Sequence, residues 1–160
     1  MNLPDLPDPG HSPVVLTLAT GVLAVLLLAI TRADLRSLRI PDALNAALIL
    51  TGLALAVTGR HPLDHVIGVV VGYALFRGIG EVHFRRTGRE GLGLGDAKLF
   101  GGAGAWLGWQ ALPFVLLIAA VGGLAAALVQ RWRGGGAELA FGPWLALGLW
   151  VMWLRAVLAG

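Results

Sequence analysis

Nine carboxylates occur in 160 residues, and two of them lack a partner in the local sequence. If Asp34 continues the apolar helix that precedes it, its neighbours three and four positions away are Ile30, Thr31, Ser37 and Leu38; for Asp96 they are Leu92, Gly93, Leu99 and Phe100. Side chains at those spacings share a helix face, so neither aspartate has an in-helix cation. Arg32, Arg36 and Lys98 stand two positions away, a spacing that does not bring side chains together. Two carboxylates held close together cannot both ionise cheaply and so share one proton. The ionised member can take a proton from water while its protonated partner stabilises a developing oxyanion, which is chemistry that hydrolyses a peptide bond. The other chemistry open to intramembrane carboxylates is ion coordination or proton relay in a small helical transporter or channel.

The other aspartates have structural explanations. Pro41 and Asp42 immediately precede an apolar run, where proline suits the first helical turn and aspartate caps free N–H groups or favours the positive end of the dipole. Asp64 can cap the third run in the same way, and Asp5 and Asp8 belong to a solvated tail. Asp96 could also be a dipole residue at a helix start, but its setting, Gly91-Leu92-Gly93-Leu94-Gly95-Asp96, places three alternating glycines beside the carboxylate. Backbone without side chains lets a peptide substrate approach closely. It is not a phosphate loop, since no Gly-Lys-Ser/Thr follows and a carboxylate repels phosphate.

Composition says what must position these residues. Hydrophobic residues make up 57% of the chain and charged ones 13%, and the mean hydropathy is +0.79, far outside the range of soluble domains. The pattern predicts an all-α, polytopic membrane protein with about six transmembrane helices: Pro13 to Ile30, Ala43 to Gly59, Asp64 to Gly80, Ala97 to Ala111, Leu112 to Gln130 and Leu139 to Leu158. The fourth is short and rich in glycine (Gly101, Gly102, Gly104, Gly108), which suits close packing in lipid, and it forms a hairpin with the fifth that turns near Gln110 to Pro113. The whole of 1–160 reads as a single membrane domain, with 1–12 a polar tail that lacks the basic start of a cleaved signal peptide. The first helix is therefore expected to be retained.

Ten of the twelve cations lie in or beside the first, third and fifth loops: Arg32, Arg36 and Arg39; Arg77, Arg85, Arg86, Arg89 and Lys98; Arg131 and Arg133. Only Arg60 and Arg155 lie elsewhere. The positive-inside rule then makes the odd loops cytoplasmic and puts both termini outside. The first span descends to the cytoplasmic face just before Asp34 and the fourth leaves it just after Asp96, so the two carboxylates reach one depth. Hydropathy fixes depth, not lateral position. The six tryptophans read as interfacial anchors. The basic residues form no stripe with interleaved aromatics, which excludes a nucleic-acid surface. With no cysteine, thiolate metal sites, disulfides and a thiol nucleophile are excluded, and the spacing of His61, His65 and His83 suggests no metal site. No cofactor is expected.

Three ordered motifs resemble the type IV prepilin peptidases. Gly93-Leu94-Gly95-Asp96-Ala97-Lys98-Leu99 looks like that family's glycine-any-glycine-aspartate motif, with Arg89-Glu90-Gly91 just ahead of it. Asp34-Leu35-Arg36-Ser37-Leu38-Arg39-Ile40-Pro41-Asp42 resembles its early motif, and Phe141-Gly142-Pro143 its closing segment. The resemblance implies a membrane aspartyl endopeptidase of the bacterial inner membrane that cleaves the basic leader of prepilins or pseudopilins at the cytoplasmic face. It makes Asp34 and Asp96 the catalytic pair, with Gly93, Gly95, Lys98, Asp42 and Glu90 supporting the site; Asp42 in place of Asp34 is the competing assignment. Longer members add a cysteine-containing region that methylates the new N-terminus. This cysteine-free chain resembles the short, peptidase-only forms. A non-catalytic assembly protein of a pilus or secretion machine is a further alternative. The bilayer and the prepilin are the partners implied.

Overall fold

The computed structural model describes residues 12–59, 61–88, 93–134 and 140–159. Among the described residues six α-helices follow one another: α1 (Pro13–Ser37), α2 (Asp42–Val57), α3 (Pro62–Thr87), α4 (Leu94–Leu107), α5 (Leu112–Trp132) and α6 (Gly142–Ala159), with a 3-10 turn at Trp109–Ala111 between α4 and α5. The chain is an all-helical, polytopic membrane protein. Pro13–Ser37, Pro62–Arg86 and Trp109–Trp132 are long and apolar enough to cross a bilayer, whereas Asp42–Val57 and Gly142–Leu158 are shorter apolar helices.

Local chemistry sets the helix ends. The Ser12 hydroxyl accepts a hydrogen bond from the Val15 N–H ahead of Pro13, capping α1. α1 does not stop at Ile30, where its apolar run ends, but continues two turns to Ser37, so Asp34 lies inside a helix rather than in a loop. It closes at Leu38, whose φ of 52° is left-handed and whose N–H donates to the Asp34 carbonyl oxygen at 2.8 Å. That conformation costs a residue with a Cβ about 1–2 kcal/mol, and it turns the chain back so that Ile40 is buried. α3 likewise runs beyond Gly80, through Arg85 and Arg86, to a left-handed Gly88. The predicted hairpin is present: Gly108, at φ 76°, ends α4, and Pro113 sits in the first turn of α5.

α4 is the centre of the bundle. Ala97 and every residue from Leu99 to Leu107 are buried, and α2, α3, α5 and α6 all pack on it. Fourteen residues span only about 21 Å, so α4 is too short to cross a bilayer alone and is enclosed by its neighbours. Its glycines make this possible. A methyl placed on Gly104 would overlap the Gly68 backbone of α3, one on Gly72 would lie 2.8 Å from the Phe100 carbonyl oxygen, and one on Gly52 of α2 would lie 2.6 Å from the Trp106 ring. Small residues let backbones touch where the lipid supplies no hydrophobic drive between helices.

Two tryptophans depart from the interfacial expectation. Trp106 and Trp153 are core residues, packed edge to face with centroids 5.2 Å apart. The Trp106 Nε1 donates to the Leu48 carbonyl oxygen (2.8 Å) and the Trp153 Nε1 to the Thr20 hydroxyl (2.9 Å), so each buried indole has a partner. Trp132 is fully at the surface. Asp64 also does more than start α3: its carboxylate accepts from Trp109 Nε1 and Gln110 Nε2, tying the hairpin turn to that helix.

The close approach of α3 and α4 predicts an asymmetry between glycines. Gly104→Ala destabilises the protein by about 1–3 kcal/mol, the range of overpacked sites, whereas Gly21→Ala, with nothing within 4 Å of the added methyl, is neutral or stabilises by up to about 1 kcal/mol. Unfolding in detergent, followed by circular dichroism, reads both; equal effects would contradict this packing.

Candidate active site

Asp34 and Asp96 line one cavity. It encloses about 600 Å³ and is bounded by the end of α1, the 38–42 connection, the cytoplasm-directed half of α3 expected from the charge pattern, and the first turn of α4. The two carboxylates are close enough for their charges to repel when both are ionised. Asp34 is 5% exposed and Asp96 half-buried.

The Asp34 side chain is held by the start of α6. The Gly142 N–H donates to Asp34 Oδ2 at 3.0 Å, so an N–H that α6 cannot satisfy within itself finds its acceptor on α1. Only glycine fits: a Cβ at position 142 would meet the same oxygen at 2.6 Å. This gives Phe141-Gly142-Pro143 a physical meaning that its sequence alone did not carry. One carboxylate oxygen is fixed and the other can exchange a proton.

Asp96 is carried by the first turn of α4, after Gly93 at the N-cap. The glycines flanking it have distinct surroundings. A Cβ on Gly93 would lie 3.4 Å from Asp96 Oδ2, and one on Gly95 would lie 3.2 Å from the Ile40 Cβ. Gly95 thus makes room for Ile40, which also lies 3.2 Å from a Cβ built at Gly142. Ile40 is wedged between the two glycines that adjoin the two aspartates.

Of the residues singled out in the sequence, Asp34, Asp42, Gly93, Gly95, Asp96 and Lys98 all line the cavity; Glu90 lies outside the described residues. Asp42 is in the first turn of α2, but its carboxylate makes no cap hydrogen bond; it forms an ion pair with Lys98 of α4. It is largely exposed, in contrast to Asp34. Glu81 of α3 also lines the wall, bonded to Arg85 Nε at 2.8 Å and near Arg77. Two features were missed. Phe76 lines the cavity and packs on Phe100 (centroids 4.4 Å apart) and Phe141 (6.4 Å), forming an aromatic floor. Asn45 of α2, 1% exposed, donates from Nδ2 to the Gly95 carbonyl oxygen at 3.2 Å. A lone amide in the apolar run Ala43-Leu44-Asn45-Ala46-Ala47 was the available signal. Among the described residues, no group of three or more His, Asp and Glu converges on a metal-sized site.

Residues 21–128 match the model of the type IV leader peptidase family. The chain is similar to three curated proteins, each named prepilin leader peptidase/N-methyltransferase. It is 42% identical to that of Pectobacterium carotovorum subsp. carotovorum over 79% of this chain and 47% of the relative, and 42% identical to that of Escherichia coli K12 over 76% and 56%. With that of Neisseria gonorrhoeae it is 36% identical over 86% and 48%. The chain spans about half the length of these relatives. No solved structure matches it. A family match over two thirds of the sequence, together with these identities, places the chain in the type IV leader peptidase family.

Proposed function

We propose that the chain is a membrane aspartyl endopeptidase that removes the basic leader peptide of type IV prepilins or pseudopilins at the cytoplasmic face of a bacterial inner membrane. The observation that carries this is the meeting of Asp34 and Asp96, from helices far apart in sequence, in one cavity of a chain that belongs to a leader peptidase family. The names of its relatives support the substrate class. The distribution of cations supports the cytoplasmic placement of the site and the external placement of both termini.

In the proposed reaction the pair carries one proton. The ionised carboxylate takes a proton from a water molecule as its oxygen attacks the scissile carbonyl. The protonated carboxyl donates a hydrogen bond to the developing oxyanion and later supplies the proton to the leaving amine. The Gly142 N–H keeps Asp34 from rotating, so the geometry is set before substrate arrives. A cavity of about 600 Å³ has room for several residues of an extended peptide, and the glycines at 93 and 95 let that peptide lie near Asp96. Lys98 and Asp42 brace the rim through their ion pair; Glu81 presents a carboxylate toward the cationic leader. Asp42 is a support residue and not one of the pair, because it is exposed and already matched to Lys98. The bundle acts as a single peptidase domain.

Incubating the purified protein in detergent with a prepilin that carries a basic leader tests the assignment. Asp34→Asn and Asp96→Asn each lower the cleavage rate by about 10²–10⁴-fold, the loss typical of removing a general acid or base, while Asp42→Asn stays within about tenfold of wild type, as loss of an exposed ion pair permits. Cleavage that survives both catalytic substitutions would end the aspartyl mechanism, and a dead Asp42→Asn beside an active Asp34→Asn would transfer the role. The pH–rate profile offers a second check. A pair active only when singly protonated loses activity at low pH, as the second proton binds, and at high pH, as the shared one leaves, giving a bell. A single-limbed profile would show that one ionisation suffices.

A further inference from the structure

The buried amide of Asn45 has no part in the reaction as proposed above. Its Nδ2 donates to the Gly95 carbonyl oxygen, and because a carbonyl can only accept, the orientation of the amide is fixed. One turn earlier on α2, Asp42 pairs with Lys98. The two contacts grip the first turn of α4 on either side of Asp96. They are unequal in character: the Asp42 and Lys98 side chains are 79% and 34% exposed, where water and salt screen an ion pair, while the Asn45 bond lies inside the bundle. Among the described residues, Asn45 Oδ1 is buried without a donor. An apolar side chain of similar size would fill the position and leave no acceptor unpaired, so packing alone does not account for an amide here.

We propose that Asn45 is a positioning residue: by holding the Gly95 peptide it sets the direction from which the Asp96 carboxylate enters the cavity toward Asp34. Asn45 touches neither carboxylate, and its effect passes through one backbone group adjacent to Asp96. Its role in turnover rests on the aspartyl peptidase proposed above; its role in geometry does not.

Two readouts separate these. In the cysteine-free chain, Asp96→Cys reports the placement of that side chain through its rate of alkylation by a small maleimide. Adding Asn45→Leu changes that rate by about fivefold or more, because thiol reactivity follows its surroundings, and leaves the rate at Asp34→Cys within about twofold. In the enzyme with both aspartates intact, Asn45→Leu lowers kcat by about 10- to 100-fold, the scale of a displaced catalytic group, with KM and Tm little changed. Asn45→Ser, which restores a shorter donor, recovers part of the loss; if Asn45→Leu fails to fold, the same measurements on Asn45→Ser decide. An unchanged alkylation rate at position 96 overturns the proposal, as does a kcat loss that only tracks the loss of folded protein. Absence of cleavage by the wild type would defeat the peptidase assignment alone, with the alkylation arm still deciding the role of Asn45.

Discussion

The structure depends on the contact between the backbones of α3 and α4 at Gly68 and Gly104. No side chain separates the helices there, and the same absence recurs at Gly72 beside Phe100 and at Gly101 beside Val69. A helix this closely enclosed is held by protein instead of lipid, and α4, about 21 Å long, is shorter than the hydrocarbon core. Its apolar residues are spent on protein contacts from Ala97 to Leu107, so its first turn, with Asp96, is set by the surrounding helices instead of by the bilayer surface. A carboxylate at the open end of a buried helix is a different object from one at the end of a lipid-exposed span: its depth and direction are both determined by packing.

Asp34 reaches the same cavity by another route. α2 and α6 each pack against both α1 and α4, and each contributes a contact next to an aspartate. α6 gives the Gly142 N–H to Asp34, and α2 gives the Asn45 amide to Gly95. Ile40, turned inward by the left-handed Leu38, fills the space between Gly95 and Gly142. The pair is thus spaced by two helices and a wedge, none of which belongs to the motif that carries Asp96. Burial in this setting makes the two charges interact through a poorly screening medium, which is the condition for sharing a proton.

Much of this was legible in the sequence. Six apolar runs match six helices among the described residues, and the hairpin expected to turn near Gln110 to Pro113 is present, with its α4 arm ending slightly earlier, at Gly108. The missing in-helix partners of Asp34 and Asp96 singled out two carboxylates that line one cavity, and all the described residues expected to support them line it too. Hydropathy placed the ends of α1 and α3 too early, because polar residues such as Arg36 and Arg85 prolong a helix beyond its apolar part without leaving the backbone's hydrogen-bonding pattern. Trp106 and Trp153 were misread as interfacial because the tertiary contacts that enclose them, such as Gly52 of α2 against the Trp106 ring and the edge-to-face packing of the two indoles, are not visible in a one-dimensional profile. The lateral meeting of Asp34 with Asp96, and the hydrogen bonds from Gly142 and Asn45, arise from tertiary contacts over long sequence separations, where local spacing carries no information.

Because the chain has no native cysteine, the meeting of the two aspartates can be measured directly. Asp34→Cys/Asp96→Cys, treated in detergent with a short bifunctional thiol reagent and then cut in the 61–88 segment, remains a single cross-linked species. The control pair Asp34→Cys/Gln110→Cys, with its second thiol at the hairpin end of the bundle and beyond the cut, separates into two fragments. Fragments from the 34/96 pair, with each thiol shown to react singly, would contradict the shared cavity on which the proposed chemistry rests.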